Sequence, residues 1–312
     1  VRLAGAAAGC AGLVAGLVLP VAGASQVLPA ITNQARVAVG HRSPRDVRAT
    51  WEASNWSGYA LTGTFTGVSG NWTVPSVAAS ASPTYSSAWI GVDGFNDSDL
   101  IQTGTEEDYY DGSAHYDAWW EILPAAETEI STSAYPVAPG DRMSAEIYET
   151  ASTTSGTGGG RHGSSRLAES SARRGGGVVR ERRKAGVEHE WVITLSDLTA
   201  GWTFSTTQAY GGPGSSAEWI LEAPEVGGSI STLAHYTIVP PSGLGDFDNA
   251  AVATSVPASG APSYSAAGLA YGADGGVMVQ NGVQVSTPSD PDTAATAFDL
   301  AYGSAQPSAP TG

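Results

Sequence analysis

Between residues 88 and 121 three short runs alternate apolar residues with acids and indoles. They are Ala88-Trp-Ile-Gly-Val-Asp-Gly94, Leu100-Ile-Gln-Thr-Gly104 and His115-Tyr-Asp-Ala-Trp-Trp-Glu121. With the two-residue period of a strand, Trp89, Gly91 and Asp93 share one face of the first run, and Asp117, Trp119 and Glu121 share one face of the third. A face that mixes carboxyls with indoles lines a groove that binds a ligand. A carboxylate there can take a proton from water and later return it to a leaving group. The Gln102 amide does not titrate, but its NH2 can donate to a developing oxyanion. The carboxylates that could partner it are Asp93, Asp117, Glu121, Glu218 and Glu222, and spacing alone does not choose among them.

Other chemistries find little support. There is no Gly-x-Ser-x-Gly elbow for a serine nucleophile. Cys10 is the only cysteine and lies in the N-terminal apolar run, so the rest of the chain has neither a thiol nucleophile nor a disulfide. Of five histidines, His115 and His235 lie in the β-rich body, and each is read as structural. No His-Glu-x-x-His or paired-Cys spacing offers a metal site, and no cofactor is expected. Asp-Thr-Gly and Asp-Ser-Gly loops of the kind that hold two catalytic aspartates are also missing.

Charge is segregated along the chain. Residues 26–50 hold Arg36, Arg42, Arg45 and Arg48 against Asp46. Residues 151–189 hold seven arginines and Lys184 against three glutamates, and elsewhere after residue 50 Arg142 is the single basic residue among 26 acids. Such a body repels itself at neutral pH and gains from protonation, which points to an acidic working environment. It also disfavours nucleic acid as a partner. Residues 1–25 read as a secretory signal, with Arg2 ahead of an apolar run and Val21-Ala-Gly-Ala24 before cleavage. A secreted, extracellular monomer without stable membrane association is expected. Residues 26–50 read as a basic leader or propeptide that shields the acidic body by ion pairs at neutral pH and is released near Thr50 in acid.

The elements that must hold these residues are strands. Runs at Ser57–Thr66, Gly70–Val74, Ser86–Val92, Leu100–Thr103, Ala114–Leu123, Arg142–Glu149, Glu190–Leu195, Trp202–Ser205, Ala217–Glu222, His235–Val239, Gly275–Val285 and Ala297–Tyr302 are separated by turns rich in Gly, Ser, Asn, Asp and Pro. No segment of this body has a capped helical period. The pattern predicts an all-β fold, an antiparallel sandwich or jelly roll, over residues 51–302. Residues 151–189, rich in Gly, Arg and Ser, read as a disordered insertion or a frameshifted stretch between two strands that could pair. Residues 303–312 read as a flexible tail.

Six motifs in order resemble the glutamic peptidases, or eqolisins. They are Ser54-Asn-Trp-Ser-Gly-Tyr59, Asn71-Trp-Thr-Val-Pro75, Ala88-Trp-Ile-Gly-Val-Asp-Gly94, Ile101-Gln-Thr-Gly104, Tyr116-Asp-Ala-Trp-Trp-Glu121 and Ala217-Glu-Trp-Ile-Leu-Glu222. The resemblance implies an acid endopeptidase that acts on polypeptides, with a concanavalin A-like lectin or glucanase sandwich and a cleft on its concave face. It implies Gln102 and Glu218 as the catalytic pair, and Trp89, Asp93, Glu106, Asp117, Trp119 and Glu121 along the substrate cleft. Two positions depart from the family pattern: Glu106 replaces an Asp, and Leu123 replaces an aromatic residue before Pro124. A glycoside hydrolase or carbohydrate-binding module on the same architecture is the alternative, because indole-lined grooves with acids also suit sugars. An inactive homologue is the third reading.

Overall fold

The structure, a computed structural model, describes residues 30–39, 50–151, 189–270 and 272–312. Residues 1–25, most of the remaining leader and nearly all of 151–189 therefore lie outside the described residues. All regular structure among the described residues is β. The expected sandwich is present as a ten-stranded sheet facing a six-stranded one.

The centre of the large sheet runs, strand beside strand, Gly275–Gln280, Trp56–Thr62, Ser216–Glu222, Ser87–Val92, Ile101–Tyr110, Ser113–Ile122 and Thr128–Ile130. The smaller sheet is built on Trp202–Tyr210, His189–Asp197, Arg142–Glu149, Gly67–Thr73 and Phe247–Ala253. The two strands that flank 151–189 pair directly, Glu149 opposite Trp191, as the sequence allowed. Tight turns fall where turn chemistry demands them. Asp111-Gly112 and Asn281-Gly282 both take positive φ and close two-residue hairpins. The second of these turns splits the single strand expected over Gly275–Val285.

The main core lies between the sheets and includes Tyr59, Ile90, Val92, Ile101 and Trp219 from the large sheet and Val68, Trp72, Ile147 and Ile193 from the small one. Two indoles bolt the layers together with hydrogen bonds as well as area. Trp219 Nε1 donates to the Ser69 carbonyl at 2.9 Å, and Trp72 Nε1 donates to Thr105 Oγ1 at 3.0 Å. Arg142, the lone basic residue of the acidic body, pairs with Asp248 on the small sheet. A second apolar cluster, with Trp51, Trp56, Trp89, Leu100, Trp119 and Ile220, sits on the other face of the large sheet.

Two departures from expectation share a cause. The strand anticipated at Leu100–Thr103 continues to Tyr110 through Glu106, Glu107 and Asp108, all buried, and Phe247–Ala253 forms a strand where none was expected. Acids and Asn are poor strand formers by propensity, so only pairing with neighbouring strands makes these segments extended. At Gly70 a Cβ would lie 2.6 Å from Trp219 Nε1, within the indole's hydrogen-bonded position. Gly70→Ala is expected to lower stability by about 1–3 kcal/mol, as overpacked cores do, read from the midpoint of urea unfolding.

Candidate active site

Strand register converts the separate sequence runs into rows on one face of the large sheet. The first row reads Ala60, Glu218, Gly91, Gln102, Glu121. The second reads Gly58, Ile220, Trp89, Gly104, Trp119, and the third reads Trp56, Glu222, Ser87, Glu106, Asp117. An apolar row thus separates two rows that carry acids. Glu218 and Gln102, 116 positions apart in the chain, lie on either side of Gly91. Gly91 makes room there for apolar side chains: a Cβ would meet the Trp89 ring at 2.9 Å and Leu100 Cδ1 at 3.0 Å. Gly104 does the same for the indoles, since its Cβ would meet Trp89 Cβ at 2.5 Å and the Trp119 ring at 2.9 Å.

Glu218 is fully buried, and among the described residues no donor other than the neighbouring Ser216 hydroxyl bears on its carboxyl oxygens. Burial pushes its pKa well up and the charges of Asp93 and Asp97 add to this, against the opposing Ser216 hydroxyl. Gln102 is fully buried too. Its Nε2 donates to Glu121 Oε2 at 2.8 Å and to the backbone carbonyl of Asn33 at 2.9 Å, while its Oε1 is unpartnered. Glu121 therefore fixes which way the Gln102 amide points.

The remaining predicted residues take distinct places. Trp89 turns its Nε1 onto Glu222 Oε2 at 3.0 Å, and Trp56 donates to the same oxygen at 3.0 Å. Trp119 lies fully buried beside Gly104 with Nε1 unpartnered. Glu106 and Asp117 sit opposite one another in the third row. Asp93 has left-handed backbone geometry at the end of its strand. Its carboxylate accepts from Tyr210 Oη (2.7 Å), Gly214 N (2.9 Å) and Ser215 N (2.5 Å), so it anchors the turn that leads into the Glu218 strand. Its described partners all belong to the fold. Leu123, at the position that departs from the family pattern, packs against the apolar cluster of this face.

Sequence reasoning did not commit to Glu222, Trp56, Asn55, Glu127 or Asn33. Glu222 was legible as a companion of Glu218, because Ala217–Glu222 alternates and puts both acids on one face. The others reach the site through tertiary contacts. Asn33 comes from the basic leader, whose residues 30–39 lie across this face. Ile31–Thr32 pairs with Glu225–Val226. Arg36 donates to the Phe95 carbonyl at 3.0 Å, and its guanidinium lies over the Phe95 and Trp51 rings at 4.3 and 5.9 Å. The contacts expected of the leader were ion pairs. Those described for Arg36 are to a carbonyl and aromatic rings, and the contacts that reach acids run from Asn33 and the Gln34 amide. Arg42, Arg45 and Arg48 lie outside the described residues.

Among the described residues no group of three or more His, Cys, Asp or Glu is arranged to hold a metal ion. His115 stacks on Tyr110 at 3.8 Å and His235 on Tyr302 at 4.2 Å. The chemistry the site can support is proton transfer at a buried carboxyl beside an amide donor.

Comparison with known proteins gives the same family as the motifs. Residues 54–158 match the profile of the peptidase A4 family, a range that includes Gln102 and stops before Glu218. The chain is 31% identical over 123 residues to aspergillopepsin-2 of Aspergillus niger, a match covering 33% of this chain and 43% of that protein. It is 36% identical over 127 residues to scytalidopepsin B of Scytalidium lignicola, covering 39% and 46% respectively. The chain thus spans less than half the length of either curated relative. The fold superposes on the crystal structure of scytalido-glutamic peptidase with a transition state analog inhibitor. That superposition has a TM-score of 0.51 at 19% identity and covers 80% of this chain and 98% of the other. The resemblance to the glutamic peptidases holds, and the β-sandwich is theirs.

The titrations of this face set how stability depends on pH. Burial, with added neighbouring acid charge, pushes Asp117 to about 7 and Glu121 to about 9 and drives Glu106 and Glu218 well up, and burial alone drives Glu222 well up against its hydrogen bonds. Each group binds its proton more tightly folded than unfolded. Its stabilisation is complete below the ordinary carboxyl pKa and is lost as pH rises through the folded value. Unfolding free energy is therefore expected to be highest below about pH 4 and to fall through neutrality, by about 1.4 kcal/mol per pH unit for each proton released. In urea titrations across pH 4–8 the fall should be shallower in Glu121→Gln; a midpoint that rises towards pH 8 would contradict this.

Proposed function

We propose that this chain is an acid endopeptidase that hydrolyses peptide bonds with Gln102 and Glu218. What supports the reading is the row Glu218–Gly91–Gln102, in which a buried carboxyl shares one face, one strand apart, with an amide that already donates to a peptide carbonyl. The family match over residues 54–158 supports it. So does the order of the motifs.

The pair has complementary roles. The Glu218 carboxylate takes a proton from a water, whose oxygen adds to the scissile carbonyl carbon while the Gln102 Nε2 donates to the oxygen that becomes negative. Glu218, now protonated, gives its proton to the departing nitrogen as the C–N bond breaks. One carboxyl serves as base and then acid because Gln102 holds no transferable proton of its own. The raised pKa of Glu218 suits both steps. A carboxyl held above its ordinary pKa, first by burial and then by Asp93 and Asp97, is a stronger base in the minor ionised fraction that acid leaves. Otherwise it keeps its proton ready for the leaving nitrogen.

Glu121 acts as a positioning residue. By accepting from Gln102 it fixes the amide with its NH2 towards substrate. Secretion and action in an acidic medium are part of this reading, supported by the apolar N-terminal run and the acidic body.

The test is hydrolysis of denatured haemoglobin at pH 3–5, run beside a polysaccharide panel. Gln102→Ala is expected to lower turnover by about 10²–10³-fold, as loss of an oxyanion donor does. Glu218→Gln is expected to abolish turnover, with unfolding midpoints showing that both variants fold. Polysaccharide cleavage without proteolysis would move the assignment to the sugar-active alternative, and near wild-type proteolysis in either variant would remove the pair from catalysis.

A further inference from the structure

Glu107 is a buried acid that belongs neither to the cleft face nor to the proposed chemistry. It shares its parity with Ile101, Thr103 and Thr105, so it points away from the cleft and into the space between the sheets. It is fully buried. Its Oε1 accepts from Thr105 Oγ1 at 2.5 Å, and Thr105 Oγ1 accepts in turn from Trp72 Nε1 of the smaller sheet at 3.0 Å. Its Oε2 has no partner among the described residues. The chain Trp72–Thr105–Glu107 therefore runs from one sheet to the other and ends on a dry carboxyl oxygen.

Glu107 cannot swing out to water without unpairing its strand. Its amide donates to the Ser86 carbonyl at 2.7 Å, and its carbonyl accepts from Ser86 Oγ at 2.8 Å. Nor do the elements packed around it bring a counter-charge. Tyr116 stands opposite on the next strand, with its hydroxyl accepting the Val77 amide at 3.2 Å. The strands Ser87–Val92, Gly67–Thr73 and Ser76–Val77 carry no ionisable side chain. On Arg142–Glu149 and His189–Asp197 the core-facing positions are Met143, Ala145, Ile147, Trp191, Ile193 and Leu195. Arg142, Glu146, Tyr148 and Glu190 alternate with these and face the other way. Asp197, Glu149 and His189 share the inward parity, but they stand at strand ends with partners of their own. Asp197 holds the Thr199 and Ala200 amides and meets Asp141, and Glu149 pairs with His189. The charges that reach Glu107 are those of Asp108 and Asp117 on the cleft face. They add to burial in favouring its protonated form, against the Thr105 hydroxyl.

We propose that Glu107 is a proton-operated latch between the two sheets. With its proton it is a neutral group that the interior tolerates, and the Trp72–Thr105–Glu107 chain closes. Without it, a charge with one donor and no cation lies in an apolar interior, which opposes closure. The proton is bound more tightly in the folded chain, so the latch is complete below the ordinary carboxyl pKa. Its contribution is lost as pH rises towards the folded value. The strand it loosens is the one that carries Gln102, so neutral pH acts on the proposed active site from behind. The latch itself stands on geometry and does not depend on the peptidase reading.

Urea unfolding of the full chain from pH 4 to pH 7, in wild type and in Glu107→Gln, tests it. The variant keeps the shape and the acceptor for Thr105 but has no proton to lose. The cleft acids titrate in both proteins, so their effect cancels in the ratio of unfolding constants. Whatever offset the amide introduces at pH 4, the ratio of wild type to variant should grow about ten-fold per pH unit above pH 5, the effect of one proton. A structural role alone would leave the ratio constant, and growth below about ten-fold between pH 5 and pH 7 overturns the latch. Hydrogen exchange at the Trp72 indole N–H of the wild type reads the other end of the chain. Its protection, corrected for intrinsic rate, should fall by about ten-fold or more from pH 5 to pH 7. Unchanged protection would overturn the latch even if the variant failed to fold.

Discussion

Burying a carboxyl without a cation is the constraint around which this molecule is arranged. An ionised carboxylate taken out of water loses several kcal/mol of solvation, and the usual remedies are a cation, several donors or a proton. Arg142, the lone basic residue of the body, sits on the smaller sheet with Asp248 and serves none of the acids of the other face. That face uses the remaining remedies. Glu222 collects donors from Asn55, Trp56, Trp89 and the Gln34 amide, Glu121 from Gln102 and the Asn33 amide, and among the described residues only the Ser216 hydroxyl bears on Glu218. The supply of donors is graded across the face, from Glu222 with four to Glu218 with that hydroxyl and Asp117, for which no hydrogen-bond donor is described.

The same constraint explains the indoles and glycines between the acids. An indole brings a large apolar surface and a single donor, so Trp56 and Trp89 can satisfy Glu222 while excluding water from it. Flat rings of that size need room on a pleated sheet. Gly104 gives it beside Trp89 and Trp119, and Gly91, between Glu218 and Gln102, gives it to the Trp89 ring and Leu100. Spacing by omission is more rigid here than spacing by a side chain, because strand separation is fixed by the hydrogen-bond ladder at about 4.8 Å.

A face of this kind, left open, would expose carboxyls and donors together, and the leader answers both. Its backbone supplies two amides to the acids and accepts the Gln102 amide, and the Asn33 carboxamide fills the pocket at Glu106 and Glu127. The leader's arginine adds stacking on Phe95 and Trp51, with no carboxylate among its described contacts. Hydrogen bonding of neutral groups thus replaces, over residues 30–39, the ion-pair shielding that the charge distribution alone would imply.

Much of this was legible in the chain. Alternation placed Trp89 with Asp93, Asp117 with Glu121 and Glu218 with Glu222 on common faces, because side chains on a strand point to opposite sides with a period of two. The polar stretch holding Asp111-Gly112 marked a hairpin end, whereas Asn281-Gly282 was passed over inside one expected strand, and ordered motifs gave the resemblance to the glutamic peptidases. The strand through Glu106–Asp108 and the one at Phe247–Ala253 were hidden, since local propensity disfavours them and only neighbouring strands hold them extended. Sequence determined the columns of the face, residue by residue along each strand. The tertiary structure alone decided the rows, which put Glu218 across Gly91 from Gln102, and seated Asn33 on Gln102 and Glu121. Alternation is a local property of the backbone, whereas register and the seating of a distant segment depend on pairing between residues a hundred positions apart.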